Sequence, residues 1–256
     1  MDKSIINLND RLKSFSLLEI LIGLVIAFIA SSMLSKAFGR LGIIDHDFSI
    51  LFAIFLVFLF LFRGVKDLKP RIDEIFIEKN RNEALYLFIC NFFFGFFVLS
   101  FFGTFDSSFS SGLQLSYDSG FTLLLSVLSS VIFAPIVEEL LFRGIIFNKL
   151  NSKISVLYAV IITSLLFSAF HGFGRLLVTF IFSIALCIIY LETENILIPI
   201  FIHILNNLIG TILTDFGHIE PIAASAPISY IMLIISIIAG ILMIKYIRDN
   251  FNVLKS

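Results

Sequence analysis

The sequence predicts an all-α protein embedded in a membrane, with about eight transmembrane helices. Hydrophobic residues make up 59% and charged residues 14% of the 256 residues, and the mean hydropathy is +1.04. Soluble domains carry about 45–50% apolar and about 25% charged residues. Eight apolar runs approach the roughly 20 residues that cross a bilayer. They cover residues 17–38, 43–62, 85–103, 120–147, 154–173, 175–192, 196–214 and 228–247.

The distribution of Lys and Arg predicts that both termini face the cytoplasm. These cations precede the first run, separate the second from the third, follow the fourth and end the eighth. In an eight-span chain those four places share one side, and only Lys36, Arg40 and Arg175 fall on the other. Because cytoplasmic loops carry the excess of Lys and Arg, the pattern predicts a multi-pass protein of the cell membrane, N-in and C-in.

The polar segments predict one membrane domain over residues 1–256. Residues 63–84 contain six cations and five anions, a pattern typical of an amphipathic helix at the cytoplasmic interface. The predicted outer loops 104–119 and 215–227 contain no Lys or Arg. The net charge of −1 gives no indication of a nucleic-acid partner.

Three ionisable side chains interrupt the fourth apolar run, where charge is costly and usually functional. Glu139 and Arg143 are four residues apart, so on a helix they share a face and form an ion pair. Glu138 points about 100° away and has no partner on its own helix. This division predicts a structural Glu139 and a reactive Glu138. Pro135 kinks the helix, either to admit water or simply for packing.

Two later helices carry further polar groups. Glu138 and His171 are equally far from residues 154–155, which predicts a helical hairpin that places them side by side, with its 148–156 turn in the cytoplasm. His203 and Asn207 share one face of the seventh run. Together these residues offer an acid/base pair, a second imidazole and an amide donor, which is the chemistry of a hydrolase. Each one alone could equally be a hydrogen-bonding group between helices.

Three motifs occur in order within residues 118–214: Glu138-Glu139-x-x-x-Arg143, Phe167-x-x-x-His171 and His203-x-x-x-Asn207. They resemble the CAAX protease and bacteriocin-processing (CPBP, or Abi) family of intramembrane proteases. The resemblance implies peptide-bond hydrolysis in a membrane cavity open to the cytoplasm.

The resemblance also implies a role for each residue. Glu138 with His171 would deprotonate a water for attack on the scissile carbonyl, and His203 with Asn207 would stabilise the oxyanion. Such a donor is worth about 3–4 kcal/mol in well-studied proteases. Glu139 and Arg143 would brace the helix and tune Glu138.

No cofactor is favoured, although zinc is an alternative. Two histidines and a carboxylate form a catalytic zinc set, and the family has often been labelled metalloprotease. However, the chain has no His-Glu-x-x-His helix, and Asn207 is a poor zinc ligand but a good oxyanion donor. The residues therefore favour a metal-free, glutamate-dependent endopeptidase.

The family predicts a membrane-associated peptide or lipidated protein as substrate. Its members process CAAX-like proteins or bacteriocins and signal peptides, some with a role in self-immunity, and the bacterial branch fits this chain better. Two other functions remain open. An ion-coupled transporter would use the charged cluster as a proton relay, and a non-catalytic membrane scaffold would not need the cluster at all.

Overall fold

The computed structural model describes residues 7–40, 46–105, 120–171, 175–213 and 228–255. Within these ranges the chain forms helices joined by short turns and contains no β-strand. The predicted outer loops 104–119 and 215–227 lie outside the described residues, apart from Thr104 and Phe105. The helices are α1 (Leu8–Ser14), α2 (Leu17–Arg40), α3 (His46–Leu61), α4 (Leu68–Ile75), α5 (Glu78–Phe105), α6 (Gly120–Asn151), α7 (Val156–Ala169), α8 (Leu176–Thr193), α9 (Leu197–Thr211) and α10 (Ile228–Asp249).

In this part of the chain, one helix occupies each of the eight apolar runs. Four of them, α2, α6, α8 and α10, are long and apolar enough to cross a membrane. The apolar helices α7 and α9 have 14 and 15 residues, which reach about 21–23 Å at 1.5 Å per residue. A bilayer core measures about 30 Å. Over its described residues the chain is therefore an all-helical membrane protein, while the count of eight spans and the orientation remain predictions.

Helix α8 forms the centre of the bundle. Its residues 185–190 are all buried, as expected for a helix that is apolar on every side and surrounded by others. It contacts α5, α7, α9 and α10, while α5 packs along α10 and α2 along α3. The outer faces of α2 and α10 expose large apolar side chains such as Phe28 and Ile231. Such faces suit lipid better than water.

The prediction of one amphipathic helix over residues 63–84 is wrong. The chain turns at Gly64, whose φ of 89° is readily adopted only by glycine. A short helix, α4, begins at Leu68 with Pro70 in its first turn, where the missing N–H costs no hydrogen bond. A second break at residues 76–77 then precedes α5. The segment is a turn and a short helix leading into a long one.

A polar clasp, formed by Leu8, Asn9, Asp67, Arg71 and Glu194, joins three distant segments. Asp67 accepts a hydrogen bond from the Leu8 amide at 2.9 Å and pairs with Arg71. Glu194 ends α8 with a φ of 48°, and its carbonyl accepts from Arg71 and Asn9. Partial burial alone would raise the pKa of Asp67, but its bonds from Arg71 and Leu8 outweigh this and lower the pKa below 3.8. The clasp thus fixes α1 and α4 against the α8–α9 turn.

Candidate active site

Helix α6 changes its pitch on both sides of Glu138 and Glu139. Its π-helical turns are Ser129–Phe133 and Leu140–Phe147, and the α-helical turn between them is Ala134–Glu139. Pro135, which has no N–H to donate, follows the first wide turn directly. A π-helical turn contains one extra residue and is frequent at functional sites. Here the two wide turns set the directions in which the adjacent carboxylates point.

The ion pair expected from the helical spacing is present. Arg143 donates to Glu139 Oε1 at 2.9 Å, and both side chains are completely buried. Arg143 also donates to Ser183 Oγ on α8 at 2.8 Å, and its guanidinium lies 4.3 Å from the centre of the Phe167 ring. Hydrogen bonds and cation–π contact offset the cost of removing the charges from water. The pair therefore links α6 to α7 and α8.

His203 on α9 lies between the two carboxylates. Its Nδ1 is 2.8 Å from Glu139 Oε1, and its Nε2 is 3.9 Å from Glu138 Oε2. Phe182 meets the imidazole edge-on, with ring centres 5.7 Å apart. The sequence predicts His203 as a site residue but does not predict its bond to Glu139. That contact depends on how closely α6 and α9 approach, which no residue spacing indicates.

The helical hairpin that brings His171 to Glu138 is present, with its turn at residues 152–155. His171 Nε2 lies 3.7 Å from Glu138 Oε2, and its Nδ1 is 2.8 Å from the Phe167 carbonyl oxygen. A carbonyl oxygen only accepts hydrogen bonds, so Nδ1 carries the proton and Nε2 faces Glu138. Two imidazole Nε2 atoms thus approach the same carboxylate oxygen.

Asn207 lies one turn beyond His203, and its Nδ2 donates to the Ser130 carbonyl in the first wide turn of α6 at 2.7 Å. The neighbouring Asn206 accepts from Asn91 on α5 at 2.9 Å. The structure therefore gathers Glu138, His171 and His203, and ties Asn207 to α6. Residues 118–119, 172–174 and 214 of the predicted motif region lie outside the described residues.

The side-chain donor atoms around Glu138 are farther apart than the ligand atoms of a tetrahedral zinc ion. Four-coordinate zinc holds ligand atoms at about 2.0–2.2 Å, which places neighbouring ligands about 3.3–3.5 Å apart. The separations from Glu138 Oε2 to the two Nε2 atoms are 3.7 and 3.9 Å. Among the described residues, no three His, Cys, Asp or Glu side chains are grouped so that they could hold a metal ion.

The site lies in a segment of the chain that is similar to a known protein family. Residues 120–209 match the family model described as type II CAAX prenyl endopeptidase Rce1-like. Over 99 residues the chain is 32% identical to the Bacillus subtilis (strain 168) protein named "Putative membrane peptidase YdiL". The matched residues are 38% of this chain and 39% of the relative. The chain thus matches less than half the length of that relative. The resemblance to CPBP-family intramembrane proteases is confirmed over this segment, which contains all three motifs.

Proposed function

We propose that this protein is an intramembrane endopeptidase that hydrolyses peptide bonds with a water activated by Glu138 and His171. The single observation that carries the proposal is the approach of two imidazole Nε2 atoms to one carboxylate oxygen within a bundle of apolar helices. The matched family is named for prenyl endopeptidases and the relative for a membrane peptidase, which supports the same reaction. The positive-inside pattern favours a site open to the cytoplasm.

The distances around Glu138 suit a water-mediated reaction. Separations of 3.7 and 3.9 Å exceed a direct hydrogen bond and are short enough for one water to touch both groups. Glu138 accepts a proton from this water as its oxygen bonds to the scissile carbonyl carbon. The C–N bond then breaks, and the proton passes to the leaving nitrogen. His171, oriented by the Phe167 carbonyl, holds the water through Nε2.

His203 and Asn207 are proposed to stabilise the oxyanion. Glu139 Oε1 accepts from the Nδ1–H of His203, so Nε2 can donate into the site when the imidazole carries both protons. The Asn207 amide has two N–H groups, of which one is committed to Ser130. Glu139 orients His203 through their hydrogen bond, and the Glu139–Arg143 ion pair holds this part of α6 in shape.

The proposed substrate is a peptide or lipidated protein at the membrane. Processing of CAAX-like proteins, of bacteriocins or of signal peptides, with self-immunity as one outcome, fits this chemistry. Zinc assistance is the alternative mechanism. An ion-coupled transporter or a non-catalytic scaffold is the alternative function.

Purified protein is incubated with a panel of quenched fluorescent membrane peptides. Glu138→Gln keeps the size of the side chain but removes the base, and we expect cleavage to fall by roughly 10²–10⁴-fold. Glu78→Gln, at the exposed start of α5, is the matched control and should cleave normally. Activity that survives chelation supports the metal-free route, whereas loss on chelation favours zinc. If the wild type cleaves nothing and Glu138→Gln still complements a knockout, the protein is a non-catalytic membrane scaffold and the protease hypothesis is wrong.

A further inference from the structure

A cavity of about 220 Å³, lined by polar and charged residues, lies between the end of α1 and the last turn of α6. At about 30 Å³ per water, it has room for roughly seven water molecules, more than a phosphate group requires. It is separate from the site at Glu138. The residues that line it, called here the headgroup cavity, are Lys13, Asn148, Lys149, Asn151 and Ser152.

The headgroup cavity is positively charged. Two of its lining residues are lysines, and none of the described residues that line it is acidic. Lys149 Nζ donates to the Lys13 carbonyl at 3.0 Å, which uses one of its three N–H donors and holds the ammonium at the cavity. Glu19, which caps α2 by accepting from the Ser16 amide at 2.7 Å, is near Lys149 and offsets one of the positive charges, while Arg11 is a further cation near Glu19. The balance of charge favours an anion.

The depth of the cavity matches the level of lipid headgroups. The apolar run of α2 begins at Leu18, five residues after Lys13, and α6 ends at Asn151. Two helices able to cross a membrane therefore reach its surface at this cavity. In the first two turns of α2, Leu18, Leu21 and Ile22 are 65%, 59% and 50% exposed. An exposed apolar helix face therefore begins five residues along the chain from Lys13.

We propose that the headgroup cavity binds an anionic phospholipid, with its phosphate between Lys13 and Lys149 and its acyl chains along the exposed face of α2. Basic pockets at the ends of membrane helices bind such headgroups. A free phosphate shares the charge but not the apolar chains, so the exposed face of α2 favours the lipid. A bound lipid would connect α1 to the helix that carries Glu138.

The test measures retention of phosphatidylglycerol and phosphatidylcholine by the full chain, using native mass spectrometry from detergent micelles. We expect the wild type to retain phosphatidylglycerol selectively, and Lys13→Gln/Lys149→Gln to bind it roughly 30-fold more weakly, on the basis of two lysine contacts. The matched control, Lys66→Gln/Lys69→Gln, removes the same charge from exposed positions and should bind normally. Lys13→Arg/Lys149→Arg keeps both charges and should also bind.

Three outcomes would overturn the proposal. Equal losses in the two glutamine variants would indicate general surface charge, and equal retention of both lipids would indicate no headgroup preference. In the third, inorganic phosphate raises the thermal stability of the wild type but not of Lys13→Gln/Lys149→Gln, while no phosphatidylglycerol is retained. That pattern would identify a phosphate site that is not a lipid site. Thermal unfolding of every variant in phosphatidylcholine nanodiscs verifies that each is folded.

Discussion

Glu138 and Glu139 are neighbours in sequence, yet 26% of the Glu138 side chain is exposed and none of the Glu139 side chain. Arg143 and His203 both bond to the same oxygen of Glu139, which fixes this carboxylate in place. Among the described residues, the ionic partners of Glu138 are the two imidazoles, at 3.7 and 3.9 Å. Adjacent identical residues thus have different environments because successive side chains on a helix diverge by about 100°.

At Arg143, replacement by Met would leave the Glu139 carboxylate buried without its cation. We expect the free energy of unfolding to fall by about 3–5 kcal/mol, the usual cost of breaking a buried pair. Unfolding in detergent micelles, followed by circular dichroism, measures this loss. The double variant Glu139→Gln/Arg143→Met removes both charges and should recover much of the stability. Arg248→Met, at an exposed position on α10, is the control and should match the wild type.

Spacing along one helix predicted the Glu139–Arg143 pair, because four residues on a helix fix a distance. It also predicted the meeting of Glu138 and His171, since a hairpin mirrors positions about its turn. Contacts between residues on different helices depend on how the helices pack, so residue spacing did not predict them. Ser183, which receives a hydrogen bond from Arg143, lies 40 residues away on another helix. Only its small polar side chain in an apolar run could have suggested a role.

On the scale of elements, α1 is held in place by α6. Leu12 is fully buried and lies against Gly144 in the second wide turn. Seven residues are too few for a stable isolated helix, so α1 depends on this packing. For the same reason neither α1 nor the π-helical turns were predicted from the sequence. The apolar runs, in contrast, located the long helices because burial in lipid needs only composition and length.

Gly144→Ala should disturb this contact. A Cβ at residue 144 would lie 2.5 Å from Leu12 Cδ2, and overpacking of this kind costs about 1–3 kcal/mol. Gly95→Ala on α5 meets nothing within 4 Å and serves as the control. We expect Gly144→Ala to unfold at lower temperature than Gly95→Ala and to be cut faster by trypsin in α1. Equal behaviour of the two alanine variants would contradict the packing.

Across the whole molecule, the chain closes one end of the bundle by joining segments far apart in sequence. Residues 7–9, 67–71 and 194–195 meet in the polar clasp, and the headgroup cavity lies against the same short helix, α1. Most of these bonds involve backbone carbonyls or amides. Each of those bonds joins a polar side chain to a backbone group that only the folded chain brings near it, which is why the sequence did not predict the arrangement.

The clasp should weaken in acid. The pKa of Asp67 is lower in the folded protein than its ordinary 3.8, so the stabilisation is complete above about pH 4 and is lost as the pH falls through the lowered value. We expect Asp67→Asn to be less stable than the wild type at neutral pH and the difference to shrink in acid. The free energy of unfolding of both proteins, measured across this range, tests the sign. A difference that does not vary with pH would exclude the carboxylate as its source.

The two wide turns of α6 also constrain how the gene for this protein can change. Removing one codon between Glu139 and Arg143, at the start of the wide turn Leu140–Phe147, would rotate everything beyond it by about 100° and shift it along the axis by about 1.5 Å. Arg143 would then turn away from Glu139. Exchanges of one apolar residue for another leave this geometry in place. Along α6, the geometry of the site therefore depends more strictly on the number of residues than on the identity of most of the apolar ones.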